Sequence, residues 1–244
     1  MLTLSNIVWW AGLALQAGIA FAVLYRRLYR ELPIFSSYTL FLIIRSVILL
    51  GLDRGSFAFF YTYWAGEVLS WALGLAVIQE VMQRLFAPYS SVERLIAVLF
   101  RWGAVLLIAI AGFVAYAAPG PETTRLMLGL VVLERSVRIV QVGLLSLLFV
   151  CAGFLRLRWA HSIFGIALGF AVFCSVELAA ITVRTQGGMP VHPLFAILKP
   201  AAFVVALGVW LFYLATPEPS PAESRPPAPQ MEGWDTALGE LLRR

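Results

Sequence analysis

Residues able to do chemistry are scarce in this chain. Aspartate occurs only at Asp53 and Asp235, so the aspartate pair of an intramembrane aspartyl protease is missing. Histidine occurs only at His161, at the inner end of the sixth expected span, and His192, at the outer end of the seventh, on opposite membrane faces. From there they cannot share a haem or a zinc ion. There is no Gly-x-Ser-x-Gly turn, no serine–histidine pair in one layer and no glycine-rich phosphate cradle. Of the two cysteines, Cys151 falls near the inner end of one expected span and Cys174 in the middle of the next. At about 1.5 Å per helical residue their depths differ by roughly 15–20 Å, too far for a disulfide. Both read as small, buried apolar residues. Neither an enzyme nor a cofactor is expected.

Charge is also sparse, at 13% of residues, against about 25% in a typical soluble domain. Hydrophobic residues make up 61%, and the mean hydropathy is +0.88. A soluble fold would need far more polar surface to cover such a core, so the class is membrane. Crossing about 30 Å of hydrocarbon takes roughly 20 apolar residues. Seven stretches qualify, at 6–25, 34–52, 58–83, 94–116, 124–150, 160–183 and 192–214. The alternating polarity of a β-barrel strand is missing, and helices satisfy their own backbone within the bilayer. The expected fold is an all-α bundle of seven transmembrane helices over residues 1–214.

Orientation follows from the arginines of the short loops. Arg26, Arg27, Arg30, Arg84, Arg94, Arg156 and Arg158 lie on one side, and only Arg54, Arg125 and Arg184 on the other. That asymmetry places the N-terminus outside and the C-terminus in the cytoplasm. The net charge of +5 is thus a topology signal and implies no nucleic acid. Trp9, Trp10, Tyr61, Tyr63, Trp64 and Tyr116 fall near the outer interface, and Tyr29, Tyr38, Tyr89, Trp159 and Tyr213 near the inner one, as belt residues should. Gly18 with Ala22, and Gly165 with Gly169, repeat small residues at the four-residue spacing that lets helices approach closely.

Residues 215–244 are a different material. PEPSPAESRPPAPQ is a proline-rich, non-folding cytoplasmic linker. It leads to MEGWDTALGELLRR, where Trp234, Leu238, Leu241 and Leu242 share one helical face. Gly233 and Gly239 weaken that helix, so a frayed end is expected, with a short amphipathic docking helix for a cytoplasmic partner as the alternative.

The charges inside the spans carry the functional reading. They are Arg45, Glu67, Arg101, Glu134, Arg135, Arg138, Glu177 and Lys199. Each costs several kcal/mol if it faces lipid, so they must face the interior, water or one another. Arg45 and Glu67 are equidistant from residue 56 in an outer turn, as Glu177 and Lys199 are from residue 188. In an antiparallel hairpin, residues equidistant from the turn share a depth, so each hairpin should pair its charges. Glu134, Arg138 and Gln141 fall at i, i+4 and i+7, on one helix face, with Glu134 favourably placed for Arg138. Arg135 is one position off that face. Glu80, Arg84, Glu93 and Arg94 flank an inner turn and should form an interfacial cluster, with Arg101 nearby.

The deep charges number five positive and three negative. An anionic lipid or a carboxylate ligand would balance the excess, with Arg135 and Arg138 as its natural donors. Lys199 with Glu67 invites comparison with retinal proteins. However, position 195 is Phe where the microbial family carries an acid, so retinal is not expected. Pro200 offers another place for Lys199, as the last residue before a shortened seventh helix at the outer interface.

FFYTYWAGEVLSWALGLAVIQEVMQRLFAPY, LERSVRIVQVGLLSLLF and FGIALGF resemble a group of uncharacterised seven-span bacterial membrane proteins. The resemblance covers most of residues 1–214 and implies a multi-pass protein of the bacterial cytoplasmic (inner) membrane; it implies no activity. The leading expectation is a non-enzymatic sensor or small-molecule-binding protein with a polar seam of Arg45, Glu67, Glu134, Arg135, Arg138, Glu177 and Lys199, acting through partners. A small transporter with a 3+1+3 helix arrangement and a structural subunit of a membrane complex are the alternatives.

Overall fold

The structure is a computed structural model that describes residues 2–53, 55–87, 122–154, 157, 159–187 and 192–216, with isolated positions between 98 and 116. For residues 2–7, 122–128, 184–187 and 192–197 only the backbone is described. The proline-rich tail and its end lie outside the described residues, as do Arg54, Tyr89, Glu93, Arg94, Arg101, Arg156 and Arg158 and the side chains of Arg125, Arg184 and His192.

Among the described residues the chain is helical throughout, without strands. Its helices are α1 (Leu2–Tyr25), α2 (Pro33–Gly51), α3 (Phe57–Phe86), α4 (Glu122–Phe154), α5 (His161–Gly187) and α6 (His192–Ala215), with a 3₁₀ turn at Leu28–Arg30. All six are long and apolar enough to cross a membrane. The expected span at 94–116 falls mostly outside the described residues. The helices are apolar on their outer faces as well. α2 leaves Leu40, Ile44, Val47, Ile48 and Leu50 exposed, a stripe that water would penalise and acyl chains would not. Hydroxyls within the helices bond back to their own turns, Ser37 to the Pro33 carbonyl and Thr39 to that of Phe35, and so need no outside partner. The chain is a multi-pass membrane protein.

Two compact units divide it, Met1–Glu80 with Ala160–Glu218 and Val81–Trp159 with Pro219–Arg244. In the first unit α5 packs along α6, α6 against α1, and α1 against α2. Glycines set how closely they meet. A Cβ on Gly165 would collide with the Tyr213 ring, and one on Gly169 with the Trp210 indole. With hydrogen there instead, Trp210 Nε1 reaches across to donate to the Ile166 carbonyl at 3.1 Å. The same indole packs on Phe35 and Phe170, with ring centroids 5.5 and 4.9 Å away. Gly18 similarly receives Leu211, whose methyl would stand 3.3 Å from a Cβ. Such edge-to-face aromatic packing and close approach replace the hydrophobic driving force that lipid does not supply.

Two expectations are corrected. Glu80 does not belong to a cluster at the inner turn. It is buried, and its carboxylate accepts from the backbone N–H groups of Ile34 and Phe35 at 3.0 and 2.9 Å. The reason is local: α2 opens with Leu32, which has no capping side chain, and Pro33, which has no N–H. The remaining orphan donors and the positive helix end take their carboxylate from α3. Arg84 is exposed. Pro200, in turn, lies inside α6 and does not start it, so Lys199 is within the helix. Of the cysteines, Cys174 is buried and Cys151 only half-buried.

Candidate functional site

Four charges on four helices of the first unit meet in one cluster. Arg45 Nη2 of α2 donates to Glu67 Oε1 of α3 at 2.8 Å. Lys199 Nζ of α6 stands 2.9 Å from Glu177 Oε1 of α5 and 3.9 Å from Glu67 Oε1. Lys199, the chain's one lysine, therefore joins the two hairpin pairs into a single chain of charge, Arg45–Glu67–Lys199–Glu177. Each carboxylate has a cation beside it, which offsets part of the cost of burying it. The carboxylates are the hidden members. Their side chains are 10% and 2% exposed for Glu67 and Glu177, against 36% for Lys199.

Neighbouring residues hold this arrangement. Arg45 lies against Gly66, where a Cβ would be 2.7 Å from its Nε. Its guanidinium carbon is also 5.4 Å from the centroid of the Tyr63 ring, one turn before Glu67. That cation–π contact compensates part of the lost hydration. Ser46, next to Arg45, is 3.4 Å from Gln16 Oε1, and Gln16 is buried within the apolar run that follows Asn6 in α1. Trp71 follows Glu67 by one turn on α3, 2% exposed, with no hydrogen-bond partner for its indole Nε1 among the described residues. Sequence reasoning missed Gln16, Gly66 and Trp71, and read Tyr63 only as an outer-interface residue. A lone glutamine in an apolar span was a usable signal; the roles of Gly66 and Trp71 needed the neighbouring helices.

The other seam residues, Glu134, Arg135 and Arg138, are on α4 and belong to the second unit. Glu134, Arg138 and Gln141 are buried, as their shared face predicts, and Arg138 Nη1 donates to Gln141 Oε1 at 2.6 Å. Arg135 is exposed. This alters the charge count. Arg135 leaves the buried set, Glu80 enters it, and Arg101 lies outside the described residues. The excess of buried positive charge that pointed to a ligand on α4 does not survive among the described residues.

Chemically the cluster offers one accessible ammonium between two buried carboxylates, with a buried indole donor nearby in sequence on the same helix as Glu67. That set can hold an anion or relay charge between partners. Comparison with protein-family models, curated proteins and solved structures finds no match to this chain.

Proposed function

We propose that this chain is a non-enzymatic, seven-span protein of the bacterial cytoplasmic membrane that binds a small carboxylate-bearing ligand at Arg45–Glu67–Lys199–Glu177 and acts through a protein partner. The six described apolar helices and the apolar stretch 94–116 support seven spans, and the arginine asymmetry supports an outside N-terminus and a cytoplasmic C-terminus. The observation that carries the binding reading is Lys199. Its ammonium is the accessible member of a buried network and is only loosely engaged by Glu67, at 3.9 Å. An incoming carboxylate can replace that contact while Glu67 keeps Arg45 at 2.8 Å. The buried indole N–H of Trp71 is a donor that an acceptor-rich ligand would also satisfy.

The test is calorimetric titration of the purified protein in nanodiscs against a panel of small carboxylates, alongside matching amines and neutral amides. Binding of a carboxylate that Lys199→Gln abolishes supports the reading. Indifference to the whole panel, or equal binding by Lys199→Gln, rejects it.

One observation favours a transporter as the second reading. Each pair spans 22 residues, and the two meet where Lys199 approaches Glu67. Sites of transporters built from repeats form at such junctions. Ligand uptake by proteoliposomes, absent from protein-free vesicles, would favour it over a sensor. A partner retained in stoichiometric amount through mild-detergent purification, without ligand binding, would instead favour a structural subunit.

A further inference from the structure

The loop between α1 and α2 stands at the end of an apolar groove. The groove has a volume of about 320 Å³ and is lined by Ala20 and Leu24 of α1, Ser36, Ser37 and Leu40 of α2, and Tyr29 between them. Along α2 it runs from Pro33 to Leu40, about 10 Å at the helical rise. Its hydroxyls do not make it polar. Ser36 and Ser37 donate to the carbonyls of Leu32 and Pro33 in their own helix and present methylenes to the groove. Such a surface suits a hydrocarbon chain.

The groove's loop end is basic. Of the three arginines there, Arg26 is already engaged, donating through Nη1 to the carbonyls of Leu214 and Thr216 at 2.9 and 2.8 Å. It caps the negative end of α6. Glu31, the loop's acid, lines a different cavity, together with Arg26 and His161. Arg27 and Arg30 remain, both exposed. Arg30 places its guanidinium carbon 5.8 Å from the centroid of Tyr29, a groove-lining ring. Arg27 has φ 56°, the one positive φ at a non-glycine residue among the described residues. Glycine would adopt that conformation without strain, and the chain carries a cation there instead.

We propose that this groove holds one acyl chain of an anionic phospholipid, whose phosphate is bound by Arg27 and Arg30. The inference uses only the membrane setting and is independent of the Lys199 cluster. A zwitterionic lipid offers the same chain without the net charge, and free phosphate offers the charge without the chain; neither matches both halves of the site.

The experiment is native mass spectrometry of the full chain, reconstituted with equal phosphatidylglycerol and phosphatidylcholine and then washed in detergent. Wild type should retain one phosphatidylglycerol. Arg27→Gly with Arg30→Gln should retain it roughly thirtyfold less, the effect of two interfacial arginines. Arg27→Gly suits the backbone at that position, so its fold is expected to be intact, which thermal unfolding checks. Ala20→Phe, filling the groove with both arginines present, should also release the lipid. Equal retention of phosphatidylcholine, unchanged retention in the double variant, or complete displacement by inorganic phosphate at millimolar concentration would each overturn the proposal.

Discussion

Arg45 and Gly66 are in direct contact: the arginine stem crosses the helix surface where the glycine has no side chain, with 2.7 Å between Nε and a notional Cβ. The contact explains how Arg45 reaches Glu67, the very next residue on α3, without strain in either helix. Gly66→Ala should therefore act on the ion pair more than on the backbone, because a side chain can move aside. Its cost should be about 1–3 kcal/mol, the usual range for overpacking. It should also be largely non-additive with Arg45→Gln, since both remove one interaction. Unfolding in detergent by a thermal or denaturant ramp checks this, and full additivity would show that the two residues act independently.

Neutralising one member of a buried pair strands the other. Arg45→Gln or Glu67→Gln alone should cost about 3–5 kcal/mol. The double variant should recover much of that, because no unpaired charge is left. Lys199→Gln should be costly as well, since it takes away the cation 2.9 Å from Glu177, whose side chain is only 2% exposed. A double-mutant cycle that shows no coupling between Arg45 and Glu67 would contradict the 2.8 Å contact.

Glu80 caps α2 from another helix, so its removal should unwind that helix's first turn. Glu80→Ala loses both acceptors and should cost about 1–2 kcal/mol, the range of N-cap losses. Glu80→Gln keeps one good acceptor but no charge and should fall between. Amide hydrogen exchange at Ile34 and Phe35 should rise in the same order; protection equal to wild type in Glu80→Ala would rule out the capping role.

Not all helix glycines should matter equally. Gly169→Ala drives a methyl into the Trp210 indole and should break its bond to Ile166. Gly143 and Gly208 face nothing within 4 Å among the described residues, and alanine there should be neutral or slightly stabilising. Tryptophan fluorescence and melting temperature distinguish the cases, and equal shifts at positions 169 and 208 would refute the close-approach reading.

Topology has a direct test. A reporter fused after Leu214 should behave as cytoplasmic, and one inserted between residues 117 and 121 as external. Activity of a periplasmic reporter at the C-terminal fusion would reverse the proposed orientation.

What could be read from the sequence was whatever depends on counting along the chain. Apolar runs of membrane length mark α1 to α6 because lipid tolerates no unsatisfied backbone. The two hairpin pairs, Arg45 with Glu67 and Glu177 with Lys199, were legible because antiparallel helices turn sequence distance into depth. The shared face of Glu134, Arg138 and Gln141 was legible from helical period alone. Only the tertiary structure decided which faces meet. It joined the two pairs through Lys199 and Glu67, sent Glu80 to the start of α2, left Arg135 exposed, and laid Arg45 on Gly66 and Trp210 on Gly169. Helical period places a residue on a face. Which neighbour covers that face depends on rotations about helix axes, and those are set by close contacts between residues far apart in the chain.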